Sequence, residues 1–208
     1  MVSELSMSSP SDVVALMIRA WPEIIEDCRA VLASELHYQA MVYHVLRWVG
    51  VPRAQIGMNV KQWIENPVTE HFRALDLRKN EAFRGGFEPI PDIVLFDVGI
   101  AGDWRRRNQD RTLRHMIGAI EVKASERSGG RLTQGEILRD VAKLTAHRAE
   151  AEHRGRRFMP IMLVIDTAPK ANERMRPSSR DVCRAASVGE GVGWMYMAPD
   201  EEECHLAI

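Results

Sequence analysis

The sequence predicts an α/β fold in which a central mixed β-sheet is flanked by helices. Three observations carry that expectation. Short runs rich in β-branched residues occur at 90–98, at Met116–Ala124 and at Met159–Ile165. Segments of helical periodicity precede, separate and follow them. The early strand-like runs lie close enough to pair as hairpins, whereas the later ones are separated by whole helices, so antiparallel and parallel pairing should mix in one sheet. At 208 residues the chain has the length of one elaborated domain, 1–208, rather than two independent cores.

The elements follow in order. Ser11 is placed to cap a short amphipathic helix over 12–20, which Pro22 interrupts or restarts. A longer helix begins near Glu23, or at Ser34 as a second N-cap, and runs to Val49, where Gly50 and Pro52 stop it. Residues 56–64 have strand character, 69–81 form a charged helical insertion, and Gly85 with Gly86 break it. Two strands, 90–98 and Met116–Ala124, are then joined by a basic loop over 102–114. Thr133 and Glu136 have capping-box spacing and open a helix running to about His153, ahead of Gly155. Strand Met159–Ile165, a helix over 179–187 and a last strand over 192–197 precede an acidic tail at Glu201, Glu202 and Glu203. No internal repeat is present.

Composition excludes several classes. With 45% hydrophobic, 27% charged and 6% aromatic residues, the chain is neither collagenous nor disordered. No uncharged stretch approaches the ~20 residues of a membrane span, and the N-terminus lacks the charge pattern of a signal peptide. These features lead to the expectation of a cytoplasmic protein with no membrane partner. Cys28, Cys183 and Cys204 have no zinc-ligand spacing and are expected as buried, reduced thiols. The net charge of −1 names no partner. Arginines nevertheless cluster at Arg105, Arg106, Arg107, Arg111 and Arg114, and again at Arg154, Arg156 and Arg157, so any polyanion must be met by local clustering.

The candidate chemistry sits on two strands. Asp92 heads one, and Glu121, Val122 and Lys123 lie within the next. Alternation puts Glu121 and Lys123 on one face with Ile120 and Val122 on the other, so a carboxylate and an ammonium stand about 7 Å apart at their Cα atoms. If Asp92 is on the neighbouring strand, two carboxylates and a lysine converge as a hard-cation site of the Mg²⁺ type, with room for a phosphate. A third acid, Glu35, is the only charged member of a helical stripe formed with Val31, Tyr38, Val42, Val45 and Val49. Burial of an unpaired carboxylate is costly, so the helix N-terminus with a basic neighbour, or a cation, must compensate it.

Pro91-Asp92, followed some thirty residues later by Glu121-x-Lys123 and preceded by an acidic helix, resembles the PD-(D/E)XK nuclease superfamily of restriction-endonuclease-like proteins. The Glu-x-Lys triplet occurs once; a second Pro-Asp, Pro199-Asp200, lies in the tail with no partner after it. The resemblance implies an α-β-β-β-α-β core over 34–165 with an insertion at about 67–88, an N-terminal helical extension over 1–30 and a C-terminal αβ extension over 166–208. It implies Mg²⁺ or Mn²⁺ held by Asp92, Glu121, the Val122 backbone carbonyl and Glu35, with Lys123 positioning the attacking water and stabilising the phosphate. The implied activity is metal-dependent phosphodiester hydrolysis, with DNA as the expected nucleic acid and a homodimer where both strands are cut. The alternative is an inactive nuclease-like subunit for nucleic-acid binding or assembly, and a weaker one is a small-molecule α/β protein in which Glu121 and Lys123 form a structural ion pair.

Two further regions are candidates for contact with nucleic acid. The basic loop containing Arg105, Arg106, Arg107 and Arg111 is expected beside the acidic cluster, where planar guanidinium forks suit phosphate oxygens. In the helix after Lys123, Glu136, Asp140, Lys143 and His147 recur on one face; Lys143 with Gln134 would reach the substrate backbone, or the face is solvated and holds an Asp140–Lys143 pair. The histidines show no zinc spacing, and no triad-hydrolase or P-loop motif occurs.

Overall fold

The structure, a computed structural model, describes residues 7–105 and 109–207. A six-stranded mixed sheet runs in the order β1-β4-β5-β6-β7-β8, where β1 is Ile56–Met58, β4 Ile93–Phe96, β5 Met116–Ala124, β6 Met159–Ile165, β7 Gly193–Met197 and β8 Glu202–His205. β1, β4 and β5 pair antiparallel, β5, β6 and β7 pair parallel, and β8 returns antiparallel to β7. β2 (Ile64–Glu65) and β3 (Gly86–Phe87) form a separate two-stranded ribbon. Helices flank the central sheet, as the α/β expectation requires.

One face of the sheet buries Ile93, Leu95, Ile120, Val122, Ile161 and Leu163 against α1 (Pro10–Arg29) and α2 (Glu35–Trp48). The other buries Val94, Ala119, Met162 and Val164 against α5 (Gln134–His153) and its neighbours, with α3 (Glu70–Leu77) and α6 (Pro177–Gly189) in that layer. The alternation of Ile120 and Val122 with Ala119 across β5 is the period-two placement read from the sequence.

β5, β6 and α5 have the expected bounds, and α5 is opened by a reciprocal Thr133–Glu136 capping box. Other elements differ. α1 runs through Pro22 without interruption, capped by Ser9 rather than Ser11 in a box with Asp12. Pro22 removes one helical hydrogen bond, to the carbonyl of Ile18, on a turn where Ile18 is 55% exposed and water can replace it. Meanwhile Leu16, Met17, Ala20, Trp21, Ile24 and Ile25 keep one buried stripe across the proline, and that burial outweighs a cost of about 3 kcal/mol. Ser34 is the N-cap position of α2, and Val31, exposed, lies outside that helix.

The single strand expected over 56–64 is split because Asn59 takes a left-handed φ of 51° after β1. The insertion folds as α3, with Thr69 at its N-cap position but bonded to Glu150 rather than to the helix, and the β2–β3 ribbon. The basic segment is not wholly a loop, since Gln109–His115 forms α4. The acidic tail forms β8, and Cys204 within it is exposed, unlike the buried Cys28 and Cys183. No helix among the described residues is long and apolar enough to cross a membrane.

Candidate functional site

Asp92 immediately precedes β4, on the edge where β4 stops covering β5: Ile93 pairs with Ile120, so Glu121, Val122 and Lys123 extend past the start of β4. The Asp92 carboxylate fills that gap. Its Oδ2 accepts a hydrogen bond from the Val122 N–H at 2.7 Å, replacing the missing strand partner. A residue's N–H and C=O point to the same edge of a strand, so the Val122 carbonyl faces this edge as well.

Glu121 stands beside Asp92. Burial pushes both carboxyls above their usual range, and for Glu121, which is driven well above it, the neighbouring Asp92 charge and then Asp140 add to the effect. A hydrogen bond between the two carboxyl groups works the other way on Asp92. Two acids are thus held together with too little water to ionise both comfortably. The two carboxylates and the Val122 carbonyl offer hard oxygen donors, which is the donor chemistry that Mg²⁺ or Mn²⁺ accepts, and Mg²⁺ commonly takes only one or two carboxylates and keeps several waters. Among the described residues no group of three or more His, Cys, Asp or Glu side chains is arranged as a metal site.

Lys123, on the same face as Glu121, is held from both sides. Its Nζ lies 3.1 Å from Glu35 Oε1 and 3.3 Å from Asp140 Oδ2. Burial alone would lower its pKa, but Asp140 and Glu35 together raise it, so the ammonium is fixed and charged. Asp140 also pairs with Lys143 one helical turn on.

Glu35 reaches the lysine because the start of α2 is tied to the sheet. Ser34 provides no side-chain cap; instead Glu126, just past β5, accepts from the Glu35 N–H at 2.8 Å. The buried Tyr38 hydroxyl donates to the Val31 carbonyl at 2.9 Å and accepts from Ala33 N–H at 3.2 Å, which fixes the preceding turn. Burial raises the Glu35 pKa while Lys123 opposes it. Glu35 therefore pairs with Lys123, and this basic neighbour is what compensates its burial, while the Asp92 charge adds to the upward push.

Two clefts open on either side of this cluster. One, of about 230 Å³, is lined by Glu35, Lys123, Glu126, Arg127 and Arg131. The other, of about 220 Å³, is lined by Glu121, Lys143, His147, Phe87 and Ile90. Lys143 thus lies on a cleft with Glu121. Gln134, on the first turn of α5, lines neither, and its carbonyl faces Cys183 of α6 at 3.8 Å.

The arginine loop is not beside the acids. It joins the far ends of β4 and β5, after Phe96 and before Met116, while Asp92 and Glu121 lie at the opposite end of the same hairpin. Five residues of strand separate the two ends, roughly 16 Å. Arg105 forms an ion pair with Asp103, and Arg111 donates to the Gly99 carbonyl. Arg106 and Arg107 lie outside the described residues.

Asp140 is the residue the sequence reading undervalued. It and His147 are 4% and 2% exposed, so this face of α5 is buried rather than solvated. Ile137, Asp140, Leu144, His147 and Ala151 form one inward stripe at +3, +4, +3 and +4. A lone acid on such a stripe is the same signal that picked out Glu35.

These residues define an α/β protein with a buried carboxylate pair and a doubly anchored lysine on adjacent strands. Searches against protein-family models, curated proteins and solved structures found no match for the chain.

Proposed function

We propose that the chain is a divalent-metal-dependent nuclease of restriction-endonuclease-like type that hydrolyses phosphodiester bonds, with DNA as the favoured substrate. The observation that carries this reading is the junction of Asp92, Glu121 and Lys123 across β4 and β5, with Asp92 braced on the Val122 N–H. The element order α2, β1, β4, β5, α5, β6 is compatible with the α-β-β-β-α-β core of that superfamily.

In this reading Asp92, Glu121 and the Val122 carbonyl hold the cation, which when bound supplies Lewis acidity to water and phosphate alike. Water attacks phosphorus directly, one P–O ester bond breaks, and no covalent enzyme intermediate forms. Lys123 places a fixed positive charge where negative charge accumulates on the phosphate oxygens. Glu35 and Asp140 keep that ammonium charged and immobile, so little reorganisation accompanies the reaction. Asp92 is locked in place by its backbone hydrogen bond from the Val122 N–H.

The test is cleavage of plasmid and single-stranded DNA with Mg²⁺, Mn²⁺ or EDTA, comparing wild type with Asp92→Asn and Lys123→Ala. Metal-dependent cutting abolished in both variants supports the assignment. Cutting that survives either substitution overturns the assignment of these residues, and no cutting of DNA or RNA by the wild type overturns the activity and leaves a binding or assembly subunit.

A further inference from the structure

The two arginine clusters remote in the sequence meet at one place in the fold. Arg114, on the last turn of α4, and Arg154 and Arg156, just past α5, converge with Trp63 on a cleft of about 260 Å³ whose other lining residues are Leu113 and Glu65. Three of these six residues are cationic and one is acidic, in a chain whose net charge is −1. Such segregation marks a surface with a definite electrostatic preference.

The three arginines are not equivalent. Arg154 is structural: it bonds the Glu150 carboxylate at 2.6 Å and the Glu65 carbonyl at 2.7 Å, tying α5 to the β2–β3 ribbon. Arg114 and Arg156 are exposed, and their guanidinium groups make no hydrogen bond or ion pair with any described residue. Trp63 is half-buried and held in place by Gly86, where a Cβ would come within 2.3 Å of its ring. An indole that carries the Lys79 ammonium 5.9 Å from its ring centroid, and that lines one cleft with two guanidinium forks left without a partner among the described residues, matches the ligand chemistry of a nucleic-acid strand, with phosphates on the forks and an unpaired base against the ring.

We propose that this cleft is a second nucleic-acid site, which anchors a single-stranded segment away from the acidic cluster. It rests on the nuclease reading only for its purpose. Both sites adjoin α5, with Lys143 at one and Arg154 at the other. Eleven residues of helix separate them, about 17 Å at 1.5 Å per residue. At 3.4 Å per phosphate along a strand of B-form geometry that spans about five nucleotides, so the anchor should act on strands longer than this and not on shorter ones.

The experiment is fluorescence anisotropy of labelled oligonucleotides in EDTA, where cleavage plays no part. Wild type is compared with Trp63→Leu, with the double variant Arg114→Ala/Arg156→Ala, and with Arg139→Ala, an exposed arginine elsewhere on α5, as a control. Thermal melts establish that each variant is folded. The expected result is at least tenfold weaker binding of a twelve-residue oligo(dT) by the double variant, with a salt slope flatter by about 1.4 for two lost single-strand phosphate contacts. Trp63→Leu should weaken oligo(dT) but leave an abasic oligomer of equal charge unaffected, and the control should match wild type. Unchanged affinity and slope in the double variant, equal binding of polyglutamate, or no binding by the wild type would overturn the proposal. Failure of the nuclease reading appears as absent cleavage by the wild type with this binding intact.

Discussion

The Oδ2 atom of Asp92 sits 2.7 Å from the Val122 N–H, so the carboxylate takes the position that a backbone carbonyl of β4 would occupy if that strand were longer. The proposed ligand and the scaffold are therefore the same side chain. Asp92→Asn keeps an oxygen able to accept this hydrogen bond and removes only the charge; Asp92→Ala removes both. Cleavage should fall at least a hundredfold in each. Alanine alone should also lower stability, by about 1–3 kcal/mol for the orphaned N–H, read as a lower midpoint in urea unfolding.

Lys123 is the only described cation that touches both Glu35 and Asp140. Lys123→Met strands Asp140, whose side chain is 6% exposed, although Lys143 remains to pair with it. Loss of about 2–4 kcal/mol is expected. Adding Asp140→Asn should recover most of the stability and none of the activity. Recovery of cutting in the double variant would assign Lys123 a purely structural role.

His147 sets an acid limit. It is fully enclosed between Phe72 and Phe158, and burial pushes its pKa down to about 3 from 6.5. The folded pKa lies below the unfolded one, so the stability linked to this group is complete above about pH 6.5 and is lost as pH falls towards 3. His147→Phe should flatten the fall in unfolding free energy between pH 6.5 and 4. An unchanged profile would place the acid sensitivity elsewhere.

The close approach of Asp92 and Glu121 should make stability respond to metal. At a hundredfold excess over its dissociation constant, a bound cation contributes about 2.7 kcal/mol, or roughly 5–10 °C in Tm for a chain of this size. The rise should appear with Mg²⁺ or Mn²⁺ in wild type and vanish in Asp92→Asn and Glu121→Gln, as scanning calorimetry will show. An equal rise in those variants would move the cation elsewhere.

The parts of the fold set by local periodicity were legible in the sequence. The bounds of β5, β6 and α5 follow from alternation, from a continuous apolar run and from a capping box, each contained within its own segment. What failed depended on tertiary context. Pro22 predicts a break, but the buried stripe on either side of it decides otherwise. The arginine loop was expected beside the acids because both border the same strands, yet a hairpin has two ends, and the register of Ile93 with Ile120 puts them apart. Glu121 and Lys123 share a face as alternation requires. That Asp140 closes the lysine from α5 needed the inward stripe of that helix, which its neighbouring Lys143 and Glu136 disguised as a solvated one.

β8 has a consequence for handling the protein. β7 is entirely buried and mostly apolar, and β8 is what covers its outer edge, with Glu202 and His205 exposed and Glu203 half-buried, where it accepts a hydrogen bond from Trp194 Nε1 at 2.9 Å. Arg29 from α1 and Arg180 from α6 clasp this short strand through Glu202 and Glu203. Trimming residues 202–205 would bare a sticky ribbon of tryptophan, methionine and tyrosine that other copies could zip onto. A purification tag cleaved too deeply at this end should therefore yield a preparation that clouds on concentration, with Asp92, Glu121 and Lys123 untouched.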